Sequence, residues 1–216
     1  DNTYTSNSNY FYTTYNVSPD YAQPITATNQ TRGLVTWTET KVLNSSPAVY
    51  LYSVHFYDDN GRLIQAKKNN ITGGVDIITT QHSWAGQTLR VLEKLEVPGS
   101  PAQVSLVLTM LQYDDLGRLT QTDKKTQHTL INSNQLPGTW STIAKNEYDA
   151  LGQLKAKKVG GKKNITGTYT GSPLETLDYD YNIRGWMLGM NRNYLATQGQ
   201  SGTVRFGFEL GYDKQA

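Results

Sequence analysis

Asp178 and Asp180 stand two residues apart in Leu177-Asp178-Tyr179-Asp180-Tyr181. In an extended chain that spacing puts both carboxylates on one face of a strand, where two acids can share the work of cleaving a glycosidic bond. The same alternation describes two solvated strand residues, and that is the reading taken here, since the sequence implies no pocket around them. Asp58-Asp59-Asn60 and Asp114-Asp115 come nearest to a calcium loop, but such a loop needs several oxygen donors at close alternate positions and these fall short. His55, His82 and His128 are scattered, with neither metal-ligand spacing nor a nucleophile signature around them. No glycine loop of the phosphate-binding kind is present. With no cysteine, the chain has no disulfide framework and no thiolate metal site. The expectation is a chain with no catalytic residues, no cofactor and no metal of its own.

Three further groups invite a binding role. Lysine pairs recur at Lys67-Lys68, Lys124-Lys125 and Lys157-Lys158. Stacked, they would make a basic stripe for an acidic guest or a polysaccharide; solvation of an outer face and protection against edge pairing is the plainer reading. Tyr57, Tyr113, Tyr148, Tyr181 and Tyr212 would fall in register as an aromatic ladder. Sugars stack on exposed rings, but recurrence at one place in each repeat favours packing between strands, with the phenol reaching a polar partner. Asn70-Ile71-Thr72 and Asn164-Ile165-Thr166 are glycosylation acceptor sequences, relevant only in a glycosylating host.

The elements that must position these residues are strands. The chain has 216 residues, 37% of them hydrophobic, with 15 tyrosines against 4 phenylalanines and 19 glycines. Tyr and Thr suit a pleated, half-buried surface, and no long stretch follows the helical period. No apolar run is long enough to span a membrane as a helix. A net charge of +2 gives no electrostatic case for nucleic acid or an anionic membrane. Asp1 to Tyr15 is rich in Asn, Ser, Thr and Tyr and is not a signal peptide.

The strands are joined by one recurring corner. Tyr57-Asp58-Asp59-Asn60-Gly61-Arg62-Leu63 returns as Tyr113-Asp114-Asp115-Leu116-Gly117-Arg118-Leu119 and as Tyr148-Asp149-Ala150-Leu151-Gly152-Gln153-Leu154, and more weakly as Tyr181-Asn182-Ile183-Arg184-Gly185-Trp186-Met187. This is the grammar of a tight hairpin. Tyr closes one strand and Leu or Met opens the next. Asp takes the first turn position, where its carboxylate accepts from the N–H groups ahead. Gly supplies the positive φ of a type I turn with a G1 bulge.

Glycines in this place fall at Gly33, Gly61, Gly86, Gly117, Gly152 and Gly185, with Ala216 next in line. The intervals, roughly 25–35 residues, belong to a repeat architecture. Residues 1–28, with strand-like Tyr10-Phe11-Tyr12 and Tyr15-Asn16-Val17, read as the end of a preceding repeat; residues 29–216 read as consecutive repeats, truncated inside a unit begun at Tyr212-Asp213. At Gly86 the copy is degenerate, with His82 in the Tyr place. Strands are expected from Gly33 to Thr38, Val49 to Tyr57, Leu89 to Val97 and Thr203 to Leu210, among others. Lys67-Lys68-Asn69-Asn70-Ile71-Thr72-Gly73 is echoed by Lys162-Lys163-Asn164-Ile165-Thr166-Gly167, which marks the loop at the opposite end of the unit.

Tyr-Asp-x-x-Gly-Arg-Leu at this spacing resembles the YD repeats of the rearrangement-hot-spot (Rhs) proteins, related to those of toxin-complex shell components and teneurins. The resemblance runs from about Gly33 to Ala216; Gln153 replaces the Arg of the third copy and Asn182 the Asp of the fourth. It implies an all-β fold: an array of antiparallel hairpins forming part of a curved, spiralling β-sheet shell. It further implies a bacterial protein, secreted or at the cell surface, whose shell encloses or displays a C-terminal effector domain. The partners would be the remaining repeats and that domain, with a surface or secretion partner protein besides. The autoproteolytic segment with paired aspartates that ends some members has no counterpart here, so self-cleavage is not carried over. The alternative is a cell-surface adhesin or scaffold whose outer wall binds glycans or a partner protein.

Overall fold

The structure, a computed structural model, describes residues 22–131, 134–162, 164–166, 168, 170–197 and 204–212. The expected strands at Tyr10–Tyr12 and Tyr15–Val17 and the corner at Ala216 lie outside the described residues. The rest is nearly all β: β1 (Trp37–Lys41), β2 (Tyr50–Tyr57), β3 (Leu63–Asn69), β4 (Val75–His82), β5 (Thr88–Val97), β6 (Gln103–Tyr113), β7 (Leu119–His128), β8 (Ser141–Tyr148), β9 (Leu154–Val159), β10 (Glu175–Tyr181), β11 (Met187–Met190) and β12 (Phe208–Glu209), with one short helix, α1 (Arg192–Ala196). The strands form a twelve-stranded antiparallel sheet in which each lies beside its neighbours in sequence. Where a tight corner joins two strands it returns the chain against the strand it has just left, which sets those two side by side.

The chain divides into two compact units, Asp1–Leu111 with Lys124–Trp140, and Gln112–Asp123 with Ser141–Ala216. In the first, Leu92 pairs with Leu108 across β5 and β6, and Leu106 lies one step along the same face. These three buried leucines form the core cluster, with Val104 and Trp140 packed against them. Each contributes about 1.5–3 kcal/mol by leaving water. The second unit buries Ala156 and Met190 and, among polar groups, Asp123 and Asn191.

Below the corners a second irregularity recurs. Phe56 pairs with Gln65 but Tyr57 with Leu63, which leaves Ile64 over. Leu89, Lys155 and Leu188 are left over in the same way. Each stands three residues after its corner glycine. The extra residue is a β-bulge, which interrupts strict alternation; that is how the consecutive residues Ile64 and Gln65 are both buried.

Several expected elements are corrected. Gly33 has φ +82°, but in its turn Leu34 N–H donates to the Thr31 carbonyl, so the glycine sits one position earlier than in the other corners. The strand expected from Gly33 begins only at Trp37, and the one expected to end at Leu210 is reduced to Phe208–Glu209. Between β11 and β12 the chain forms α1, which was not expected. Asn191, at φ 49°, turns the backbone out of β11 into it.

Candidate functional site

The recurring corner is the candidate site, and its work is positional. At the first copy, Asp58 N–H donates to the Arg62 carbonyl (3.0 Å) and Gly61 N–H to the Asp58 carbonyl (2.9 Å). Asp58 Oδ1 accepts from the N–H groups of Asn60 (3.0 Å) and Arg62 (2.9 Å), while its Oδ2 takes the Arg62 guanidinium at 2.6 Å. Asp114 repeats every one of these contacts with Leu116, Gly117 and Arg118. Asp149 and Asn182 repeat the backbone part, their Oδ1 atoms accepting from Leu151 and Gln153, and from Arg184 and Trp186. At the degenerate copy Ser83 is the cap: its Oγ accepts from Gln87 N–H and its carbonyl from Gly86 N–H. The glycines hold φ between +73° and +89°. Gly117→Val is therefore expected to cost about 1–3 kcal/mol from strain at positive φ. An unchanged urea midpoint in that variant would contradict the turn.

Four of the corners are also tied to the one before. Tyr57 Oη donates to the Val35 carbonyl (2.8 Å), Tyr148 Oη to Leu119 (2.9 Å) and Tyr181 Oη to Leu154 (3.1 Å); His82 Nε2 lies 3.3 Å from the Leu63 carbonyl. In all four the acceptor is the second residue after the preceding glycine. The residue directly after the glycine reaches forward. Arg62 Nη1 donates to the Ser83 carbonyl (2.9 Å), Arg118 lies 4.6 Å from the centre of the Tyr148 ring, and Trp186 lies 5.3 Å from the Tyr212 ring. The expected ladder of tyrosine on tyrosine is thus corrected at Tyr148 and Tyr212, whose rings meet the residue that follows the preceding glycine.

Burial pushes the Asp58 carboxyl up, but the Arg62 N–H, the guanidinium's hydrogen bond and charge, and the Asn60 N–H outweigh it and hold the group below its ordinary value. At Asp114 the Arg118 N–H leads the lowering; slight desolvation opposes it, and the guanidinium and the Leu116 N–H add to it. A carboxyl depressed on folding stabilises the protein above its unfolded pKa, about 3.9, and that stability is lost as pH falls through the lower folded value. The thermal midpoint should therefore hold as pH drops from 7 to about 5 and fall below about 4. In the double variant Asp58→Asn, Asp114→Asn the acid limb should flatten; a limb as steep as that of the parent protein would count against the assignment.

The opposite-end motif proves to be the same turn with asparagine as its cap. Asn70 Oδ1 accepts from the N–H groups of Thr72 and Gly74, both at 3.0 Å, and Asn164 Oδ1 from those of Thr166 and Thr168. Asn70 Nδ2 donates to Asp76 Oδ1 and to the Glu96 carbonyl.

The remaining candidates are not brought together. Asp178 and Asp180 are both exposed, opposite Ala156 and Gly189. Among the described residues no three of His, Cys, Asp and Glu are grouped to hold a metal ion. His55 Nε2 lies 3.2 Å from Ser53 Oγ, and the His128 ring accepts from Leu130 N–H. The lysine pairs split, since consecutive residues of a strand point to opposite faces. Lys125 donates to the Gly138 carbonyl beneath the Trp140 ring, and Lys158 pairs with Glu147. Burial, then the charge of Lys94, push the Lys67 ammonium down.

Two polar centres had no sequence signal. The Asp123 carboxylate is 1% exposed and is held by Gln121 Nε2 (2.7 Å), Thr142 Oγ1 (2.8 Å) and Gln112 Nε2 (3.0 Å), with no ion pair among the described residues. Asn191 stitches β11 to its surroundings: its Oδ1 accepts from Asp178 N–H and its Nδ2 donates to the Phe206 carbonyl.

Set against known proteins, the chain matches no family model and no curated protein. Its reading rests on the geometry above.

Proposed function

We propose that this chain is a non-catalytic section of a β-built wall in a secreted or surface-exposed bacterial protein of the Rhs type, and that the wall encloses or displays a C-terminal effector domain. The observation that carries the proposal is the link from corner to corner: an aromatic side chain of one corner bonded to a fixed carbonyl of the preceding one, four times over. An array of this kind spends its recurring residues on holding strands side by side, and extends by repetition. Its partners are then further repeats and the effector domain of the parent chain. No helix among the described residues is long and apolar enough to cross a membrane.

The test is limited proteolysis of the parent protein purified whole. The C-terminal domain should resist cleavage there, be cut readily when expressed alone, and become accessible in the parent when Gly117→Val breaks a corner. Equal cleavage in all three preparations, or a gene that encodes no further domain, would overturn the reading.

A further inference from the structure

Asn-x-Ser/Thr sequences fall among the described residues at Asn29, Asn44, Asn70 and Asn164. The last two share the residues Asn-Ile-Thr and fold into the same turn. The Asn70 carboxamide oxygen accepts from Thr72 Oγ1 (2.6 Å) and from the N–H groups of Thr72 and Gly74. The Asn164 oxygen accepts from Thr166 Oγ1 (2.7 Å) and from the N–H groups of Thr166 and Thr168. At Asn29 and Asn44 no bond from hydroxyl to carboxamide forms among the described residues.

The two nitrogens differ. Asn70 is half-buried, and its Nδ2 is committed twice, to Asp76 Oδ1 (2.9 Å) on β4 and to the Glu96 carbonyl (2.8 Å) on β5. An NH2 group has two protons to donate, so none is left over. Asn164 is exposed on the loop between β9 and β10, with Ile165 fully exposed beside it, and its Nδ2 has no hydrogen-bond partner among the described residues. A carboxamide nitrogen is a weak nucleophile because its lone pair is shared with the carbonyl. Donors on Oδ1 stabilise the negative charge that gathers there as an Nδ2 proton is removed. Both turns prepare the oxygen in this way; only at Asn164 is the nitrogen free to react.

We propose that Asn164, and not Asn70, accepts an N-linked sugar on the folded chain. Nδ2 attacks the anomeric carbon of a hexose activated as a sugar nucleotide. The C–N bond forms as the C–O bond to the diphosphate breaks. The nucleoside diphosphate leaves with the electron pair, and the Nδ2 proton passes to a base of the transferring enzyme. The discrimination exists only once β4 and β5 have assembled around Asn70, so the transfer follows folding. The proposal goes beyond the wall reading and does not depend on it.

The test is incubation of the whole 216-residue chain with UDP-glucose and a soluble asparagine glucosyltransferase, followed by peptide mapping in a mass spectrometer. The folded chain should gain one hexose at Asn164 and none at Asn70. Asn164→Gln should abolish the gain and Asn70→Gln should leave it intact. In a chymotryptic digest, where the fold no longer separates the two turns, both asparagines should accept. Equal occupancy of Asn70 and Asn164 in the folded chain, transfer to Asn29 or Asn44 ahead of Asn164, or an Asn164 left bare would each overturn the proposal.

Discussion

Asp123→Ala is expected to cost roughly 2–4 kcal/mol of folding stability, because the neutral donors that hold the buried carboxylate lose their acceptor. The carboxylate is almost fully buried and takes all its hydrogen bonds from neutral groups, the amides of Gln112 and Gln121 and the hydroxyl of Thr142. Truncation leaves a void beside the half-buried Gln121 and Thr142 and the exposed Gln112; a donor left unsatisfied away from water costs about 1–3 kcal/mol, and one that reaches water costs little. Asp123→Asn keeps the shape and one acceptor oxygen but turns an NH2 toward the donors, so it should recover only about half of the loss. Urea unfolding of the three proteins decides the matter. A loss below about 1 kcal/mol for the alanine variant would mean that the network is solvated and carries little weight.

The second large effect falls at Gly74. A methyl there would stand 2.0 Å from the Glu96 carbonyl oxygen and 2.7 Å from its carbon. Both are backbone atoms of β5, and the same carbonyl accepts from Asn70 Nδ2. Nothing at that point is the loose end of a side chain, so Gly74→Ala must push β5 away and break the Asn70 contact. A cost of about 3 kcal/mol or more is expected, at the upper end of overpacking. Gly61→Ala is the control: its φ is +73° but a methyl would meet nothing within 4 Å, so only the strain of about 1 kcal/mol should be felt. Equal thermal midpoints for the two variants would sink the distinction between clash and strain.

The contrast between these glycines marks what the sequence made legible. Gly61, Gly117, Gly152 and Gly185 could be read because each stands three residues after a side chain able to cap the turn, and one conformation explains both. Gly74 belongs to the same kind of turn, but its need for glycine comes from a strand more than twenty residues away. The bulge residues Ile64, Leu89, Lys155 and Leu188 share a position but no single side-chain type, a lysine standing among three aliphatics, so they leave no motif to read. Asp123 lies in Thr122-Asp123-Lys124-Lys125, which reads as a solvated stretch; only the fold brings Gln112 and Thr142 to it. Helix α1 is five residues long and follows from the way Asn191 ends β11, not from any helical period.

The hydroxyl-to-carbonyl links have a consequence for how such a chain comes apart. Each joins one corner to the corner beside it, so damage at one rung is felt mainly by its immediate neighbours. Unzipping should then proceed one hairpin at a time, with amide-proton exchange spreading from a broken corner to its neighbours before it reaches distant hairpins. Lengthening the array would add rungs without changing the grip of any single one, which lets a builder vary the size of the whole while keeping one fastening throughout.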